Sequence, residues 1–338
     1  MFMKKLLALV GAMAIATSAW AGQIQLTGAG STFIYPAITK WFEAYDSIDP
    51  NVQFNYQAIG SGAGIKEITD KIVDFGGTDG PMTEGQMAAA PGKIYHIPLV
   101  MGAEAIAYNI PGVGPGLKFT PDVLAGIWLG EITNWNDPKI TAQNPGVNLP
   151  NMPIIVAHRS DGSGTTFIFT HYLSSVSPEW SSKVGFSTSV SWPVGLGGKG
   201  NQGVSGILTQ NPGSIGYVEL AYAIQNKIPY GVVENSSGNF VEPTVEATSE
   251  AASGVPIPAD FRASIVNSSN PKAYPICGFS WMLIYKNMAG EGAKGKALVD
   301  FAKWAVTDGQ KISAQLDYAP LPSDLIAKIM KTLDKISY

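Results

Sequence analysis

Gln23-Ile24-Gln25-Leu26-Thr27-Gly28-Ala29-Gly30-Ser31-Thr32-Phe33-Ile34-Tyr35-Pro36-Ala37-Ile38-Thr39-Lys40-Trp41-Phe42-Glu43-Ala44-Tyr45 decides the fold class. Gln23 to Thr27 reads as a strand, and a glycine-spaced Ser/Thr turn then leads into a helix over Thr32 to Tyr45. In that helix Ile34, Ala37, Ile38, Trp41, Phe42 and Tyr45 recur at helical spacing. Pro36 sits in the opening turn, where a missing N–H does least harm. Val52 to Gln57 follows as an alternating strand, and Ile65 to Ile72 as a second helix with Ile65, Ile68 and Ile72 on its buried stripe. Strand and helix in alternation is βαβ logic, the grammar of an α/β sheet whose ligands sit at the carboxyl ends of strands.

Beyond about Asn109 and as far as Pro271 the chain is richer in Gly, Pro and Asn, with helical patches at Pro121 to Trp128, Thr165 to Leu173 and Tyr217 to Gln225. Val245 to Ala259, made of small and polar residues, reads as a surface loop. The last section returns to a strand at Ser280 to Tyr285 and to helices at Lys294 to Val306 and Ser323 to Ile336. This division predicts two lobes, one built from 22–102 and 276–338 and the other from 103–275, with the chain crossing between them twice.

At the start, Lys4 and Lys5 precede the apolar run Leu6 to Ala16, and Ala19-Trp20-Ala21 offers small residues at the two positions a signal peptidase reads. Residues 1–21 are therefore expected to be a secretory signal peptide. Its apolar run is too short for a membrane span, and no later segment supplies the roughly 18 consecutive apolar residues that one requires. Cys277 is the only cysteine, so no intramolecular disulfide forms and no cysteine follows the leader to carry a lipid anchor. A free periplasmic protein with a core large enough to fold unstapled is expected. Losing Lys4 and Lys5 takes the formal charge from −4 to −6. That sign argues against nucleic acid or an anionic membrane as a partner, and any anion must be captured by local groups against the global field.

Three loops share one pattern of strand, glycine-spaced Ser/Thr turn and helix. They are Thr27 to Phe33, Ile59-Gly60-Ser61-Gly62-Ala63-Gly64, and His158-Arg159-Ser160-Asp161-Gly162-Ser163-Gly164-Thr165-Thr166. Each helix start leaves N–H donors unpaired beside the positive end of the helix dipole, and glycine lets an anion approach the backbone. Any one such loop also reads as an ordinary N-cap, but three in one chain favour an oxyanion cradle. The third also holds one of only two arginines in the chain, the other being Arg262. A fourth element, Val73-Asp74-Phe75-Gly76-Gly77-Thr78-Asp79-Gly80-Pro81, places Asp79 on a turn directly after a strand. A capping role is one reading. The other is a buried carboxylate that accepts a hydrogen bond from a protonated oxyanion and rejects a fully ionised one such as sulfate.

Taken together with Trp192-Pro193-Val194-Gly195-Leu196-Gly197-Gly198-Lys199-Gly200 and Gly216-Tyr217-Val218-Glu219, these stretches resemble the periplasmic phosphate-binding proteins of high-affinity phosphate ABC transporters. The resemblance runs through nearly the whole mature chain. It implies a two-lobed Venus-flytrap fold of the type II periplasmic-binding-protein family, each lobe a central β-sheet flanked by helices, with two crossover segments at the hinge. It further implies a monomer, with no enzymatic activity, cofactor or metal, that closes on inorganic phosphate and delivers it to membrane ABC permease subunits with their ATPase. By the same resemblance Thr32 donates through hydroxyl and backbone, Phe33 through its N–H and Ser61 through its hydroxyl. Asp79 accepts the phosphate proton, Arg159 donates while paired with Asp161, and Ser163, Gly164 and Thr165 complete the far wall. The chain departs from the family in the spacing of Pro36 and in Gly62, where a second serine is frequent.

Other signals are set aside on physical grounds. Gly195 to Gly200 has dinucleotide-fingerprint spacing, and Glu219 lies near the distance for a ribose contact, but Pro193 interrupts the preceding strand and no strong amphipathic helix is expected after it. A glycine-rich surface loop with Lys199 free to touch a partner is the expectation there. His96, His158 and His171 do not pair at metal-ligand spacing. No Gly-x-Ser-x-Gly occurs and Ser163 has no evident base, against a hydrolase. A secreted phosphatase using the same cradle, and a binding protein for another tetrahedral oxyanion, remain the competing functions.

Overall fold

The computed structural model describes residues 23–338; the expected signal peptide lies outside the described residues. The chain runs β1 (Ile24–Gly30), α1 (Tyr35–Asp46), β2 (Val52–Ala58), α2 (Ser61–Thr69), β3 (Phe75–Thr78), α3 (Glu84–Ala89) and a long β4 (Ile94–Asn109). The middle comprises β5 (Lys118–Phe119), α4 (Pro121–Leu129), α5 (Pro138–Thr141), β6 (Ile155–Arg159), α6 (Gly164–Val176), α7 (Pro178–Lys183), β7 (Leu196–Gly198), α8 (Gly200–Gln210), β8 (Ser214–Glu219), α9 (Leu220–Gln225), β9 (Val232–Glu234), β10 (Phe240–Val241) and α10 (Val245–Ala252). β11 (Cys277–Tyr285), α11 (Ala293–Ala305), α12 (Gln310–Ala314) and α13 (Ser323–Leu333) complete it.

The principal sheet has the order β2-β1-β3-β11-β4-β8-β6-β7. The parallel pairs β1 with β2 and β1 with β3 are the βαβ units read from the sequence, and β6 with β8 adds a parallel pair in the second lobe that was not. β4 is the shared element: Ile94 to Ala103 pair with β11, and Glu104 to Asn109 pair with β8. One continuous strand thus belongs to both halves of a two-lobed α/β fold. Where β11 runs beside β4, the register slips between Ser280 and Trp281. The extra residue is Leu99, on β4, and on the neighbouring β11 strand Ser280 reaches the Asp79 carboxylate at the inter-lobe site.

Each lobe has its own aromatic packing. Phe42, Tyr45, Phe54 and Trp304 ring the buried Phe301, with the Phe54 and Phe301 centroids 4.4 Å apart, so α11 returns to the first lobe. In the other lobe Phe169 stacks on Tyr217 at 4.4 Å and meets Trp128 edge-on.

Five local expectations change. α2 runs from Ser61 to Thr69 rather than Ile65 to Ile72, so Ile65 and Ile68 are buried but Ile72, expected on the same stripe, lies beyond the helix end and is 65% exposed. α1 begins at Tyr35 rather than Thr32, because the Ser31 hydroxyl accepts the Phe33 N–H at 2.9 Å and holds Ser31 to Phe33 in a turn. Tyr217 to Glu219 are strand rather than helix: Tyr217 and Val218 pair with Ile106 and Ala105, and helix starts only after Glu219, whose carboxylate accepts the Ala221 N–H. Val245 to Ala252 is helix rather than loop. Thr244 caps it by accepting the Ala247 N–H, and its buried stripe is made of small residues, Ala247, Thr248, Ala251 and Ala252. Finally, the glycine run ending at Gly200 opens directly into helix α8, with Val204 and Leu208 on its buried face, which corrects the expectation that no strong amphipathic helix follows it.

Candidate functional site

The ends of β1 and β3, with the N-termini of α2, α6 and α8, converge between the lobes. Thr32, Phe33, Ser61, Asp79, Arg159, Ser163 and Thr165 are all buried there, as is Gly164. The lobes touch backbone to backbone, with the Gly62 N–H donating to the Gly162 carbonyl at 2.9 Å. Two glycines permit that approach. A Cβ on Gly164 would lie 2.5 Å from the Asp79 Cβ, and one on Gly60, whose φ is +98°, would lie 2.2 Å from an Asp161 carboxylate oxygen.

Asp79 sits among hydroxyl donors. Ser31 Oγ lies 2.6 Å from both of its oxygens, Ser280 Oγ is 2.7 Å from Oδ1, and Ser61 Oγ is 3.4 Å from Oδ2. Burial raises its pKa, and the hydrogen bonds from Ser31 and Ser280, the Arg159 charge and Ser61 pull it part of the way back, leaving it at about 6. Above that pH the group is a carboxylate, able only to accept.

On the opposite wall Arg159 makes a bidentate pair with Asp161, Nε to Oδ1 at 2.8 Å and Nη2 to Oδ2 at 2.6 Å. Their side chains are 1% and 12% exposed. The Gly200 N–H adds a bond of 2.9 Å to Asp161 Oδ1. Burial alone would raise Asp161, but the Arg159 contact outweighs it and holds the carboxylate below its usual range. Asp161 thereby fixes the plane of the guanidinium, while Nη1 reaches Thr165 Oγ1 at 3.0 Å.

The hydroxyls have a common bonding pattern. Thr32 Oγ1 accepts from the Asn201 backbone at 3.1 Å and from its Nδ2 at 2.9 Å. Thr165 Oγ1 accepts from Arg159 Nη1 and from Asn201 Nδ2 at 3.2 Å. Ser61 Oγ accepts from the N–H groups of Asp79 and Gly164 at 3.2 and 3.0 Å. A hydroxyl with both lone pairs occupied has only its proton left to offer. Ser163 Oγ caps α6 by accepting the Thr166 N–H at 3.0 Å. The protein therefore sets donors around one acceptor, Asp79. In this arrangement the Phe33 and Gly164 N–H groups are bonded to Ser31 and Ser61 hydroxyls.

Behind the site, Glu104 and Glu219 face each other across β4 and β8 with no exposed surface. Burial pushes both well above the usual carboxylate range. Glu219 receives the Tyr318 hydroxyl at 3.1 Å, and the same hydroxyl lies 2.6 Å from the Phe33 carbonyl.

Other polar residues singled out from the sequence lie elsewhere. Arg262 bonds Asp260, Glu84 and the Met82 carbonyl. His158 stacks on Trp192 at 4.8 Å, His171 stacks on Phe186, and His96 accepts the Met82 N–H. Lys199 is exposed at the α8 N-cap. Three residues that sequence reasoning missed join the site: Ser31, Ser280 and Asn201. Asn201 was detectable, since β7 and α8 repeat the strand, glycine and helix pattern of the other three loops. Ser280 had no such signal, lying inside an apolar strand.

A two-lobed α/β molecule with a buried polar site between the lobes, entered by helix N-termini from both sides, defines the class, and residues 16–308 match the PBP superfamily domain. The chain is 43% identical over 309 residues to the phosphate-binding protein PstS of Xylella fastidiosa strain 9a5c, covering 90% of this chain and 84% of that protein. It is 41% identical over 326 residues to the phosphate-binding protein PstS of Pasteurella multocida strain Pm70, covering 95% and 94%. The chain belongs to the PstS phosphate-binding protein family. Among solved structures, a putative phosphate ABC transporter substrate-binding protein with bound phosphate from Clostridium perfringens shares the fold, with a TM-score of 0.65 at 19% identity, covering 88% of this chain and all of that one.

Proposed function

We propose that the chain binds inorganic phosphate between its lobes in the periplasm and delivers it to a membrane ABC permease and its ATPase. It is a substrate-binding protein and not an enzyme. The observation that carries the ligand assignment is the solitary acceptor, Asp79, set among donors. A phosphate dianion has one O–H, which Asp79 accepts, while its other oxygens accept from Thr32, Ser61, Ser163, Thr165 and Arg159. The Phe33 and Gly164 N–H groups exchange their serine hydroxyls for phosphate oxygens. Sulfate, without a proton, meets the Asp79 carboxylate unshielded. Charge-assisted hydrogen bonds of this kind contribute about 1.5–3 kcal/mol each, and several reach micromolar affinity, about −8 kcal/mol, after the cost of closure.

The lobes are assigned as 22–102 with 276–338 and 103–275, moving about β4 and the segment entering β11. Residues 1–21 serve as the signal peptide, and the mature chain works as a free monomer. Among the described residues no helix is long and apolar enough to cross a membrane. Calorimetric titration of the purified mature chain with phosphate and with sulfate tests the reading. Tight phosphate binding with weak sulfate binding is expected; equal affinities would assign the site to tetrahedral oxyanions at large. Turnover of a chromogenic phosphomonoester would overturn a transport-only role.

A further inference from the structure

We propose that Asn201 is a positioning residue that dictates where the Thr32 and Thr165 hydroxyl protons point, making both threonines donors to the bound phosphate and clasping the two lobes around it. The inference rests on the phosphate reading above.

The orientation of the carboxamide is fixed by a group that can only donate. The Glu219 N–H lies 2.9 Å from the Asn201 side-chain oxygen, so that atom is Oδ1 and the other is the donor Nδ2. Nδ2 then reaches Thr32 Oγ1 at 2.9 Å and Thr165 Oγ1 at 3.2 Å. The Asn201 backbone N–H adds a second bond to Thr32 Oγ1 at 3.1 Å, and Arg159 Nη1 a second bond to Thr165 Oγ1. Both threonine oxygens have their lone pairs filled, and neither hydroxyl proton has an acceptor on the protein. Asn201 itself is fully buried and lies in the first turn of α8, directly after Gly200, whose N–H bonds Asp161. Thr32 follows β1 of the first lobe and Thr165 opens α6 of the second. One amide group therefore spans the inter-lobe seam, and its bond to Thr32 exists only with the lobes together.

Reversing the amide's polarity tests this. In N201D the side chain keeps an acceptor for the Glu219 N–H but offers none of the donors. The threonine hydroxyls then turn to donate to the carboxylate and away from the ligand. Phosphate affinity is measured by titration calorimetry for the wild type, N201A, N201D, T32V and N201D/T32V. T32V alone is expected to weaken binding about tenfold to a hundredfold. N201D should weaken it more than N201A, and T32V should cost less than about threefold in the N201D background, where the hydroxyl is already diverted. If T32V costs the same factor in both backgrounds, the added charge acts alone and the proposal fails. It fails also if N201D is milder than N201A, the order that packing alone would give. Should N201D not fold, dissociation from N201A decides: it is expected to accelerate about tenfold or more, and a wild-type rate overturns the clasp. A wild-type protein that binds no phosphate would overturn the functional reading itself, an outcome distinct from an additive cycle in a protein that binds.

Discussion

Arg159 is the residue on which the charge balance of the site turns. It faces Asp161 and Asp79, so near neutral pH the first-placed charges sum to a negative value before any anion enters, and the guanidinium is the sole full positive charge among them. Arg159→Ala is expected to weaken phosphate binding by roughly 3–5 kcal/mol, because both the ligand and Asp161 lose their buried partner; calorimetry reads the loss directly. Asp79→Asn acts differently. The amide can donate to sulfate, so the preference for phosphate over sulfate should collapse even where phosphate itself still binds. The raised pKa of Asp79 also has a stability consequence. The folded protein holds this proton more tightly than the unfolded chain, so the contribution of Asp79 to stability falls as pH rises from about 4 to about 6 and is constant above. Asp79→Asn should therefore raise the thermal midpoint at pH 7.5, by up to about 3 kcal/mol in stability, with little gain at pH 4. A gain independent of pH would show that charge burial is not its cause.

At the scale of elements, the glycines at helix starts set how closely the lobes approach. Gly164→Ala places a methyl against Asp79, and the expected result is a lobe pair that cannot close. Phosphate affinity should fall at least a hundredfold while the thermal midpoint without ligand moves little, a contrast read by calorimetry and circular dichroism. Phe301→Ala, by contrast, opens a hole among four aromatic rings and should cost about 3–5 kcal/mol of stability, read by denaturant unfolding. The elements most legible in the sequence were those with a strong apolar period, such as α1, α11 and α13, and β2. α10 was not, because Ala and Thr form its buried face without an apolar stripe, and the start of α2 was masked by glycines. Within the site, Thr32, Ser61, Asp79 and Arg159 stood out because short motifs expose them. Ser280 and Asn201 reach the same point only through topology: the insertion of β11 between β3 and β4 brings one beside Asp79, and the α8 crossover delivers the other.

On the scale of the whole molecule, the acidic mature chain and its compact site act on different steps of binding. The net charge repels an approaching phosphate dianion, whereas the buried contacts are screened little by salt. Raising ionic strength from about 20 to 200 mM should therefore speed association modestly and leave dissociation nearly unchanged, as stopped-flow fluorescence would report; a salt-driven increase in dissociation would mean that the contacts are more exposed than their burial indicates. β4 carries a different consequence. Its 16 residues run unbroken from one lobe's sheet into the other's, so neither lobe can melt without tearing hydrogen bonds from a strand the other still needs. The two lobes move as separate bodies in function yet share one thermodynamic fate, and heating should reveal a single calorimetric transition rather than two.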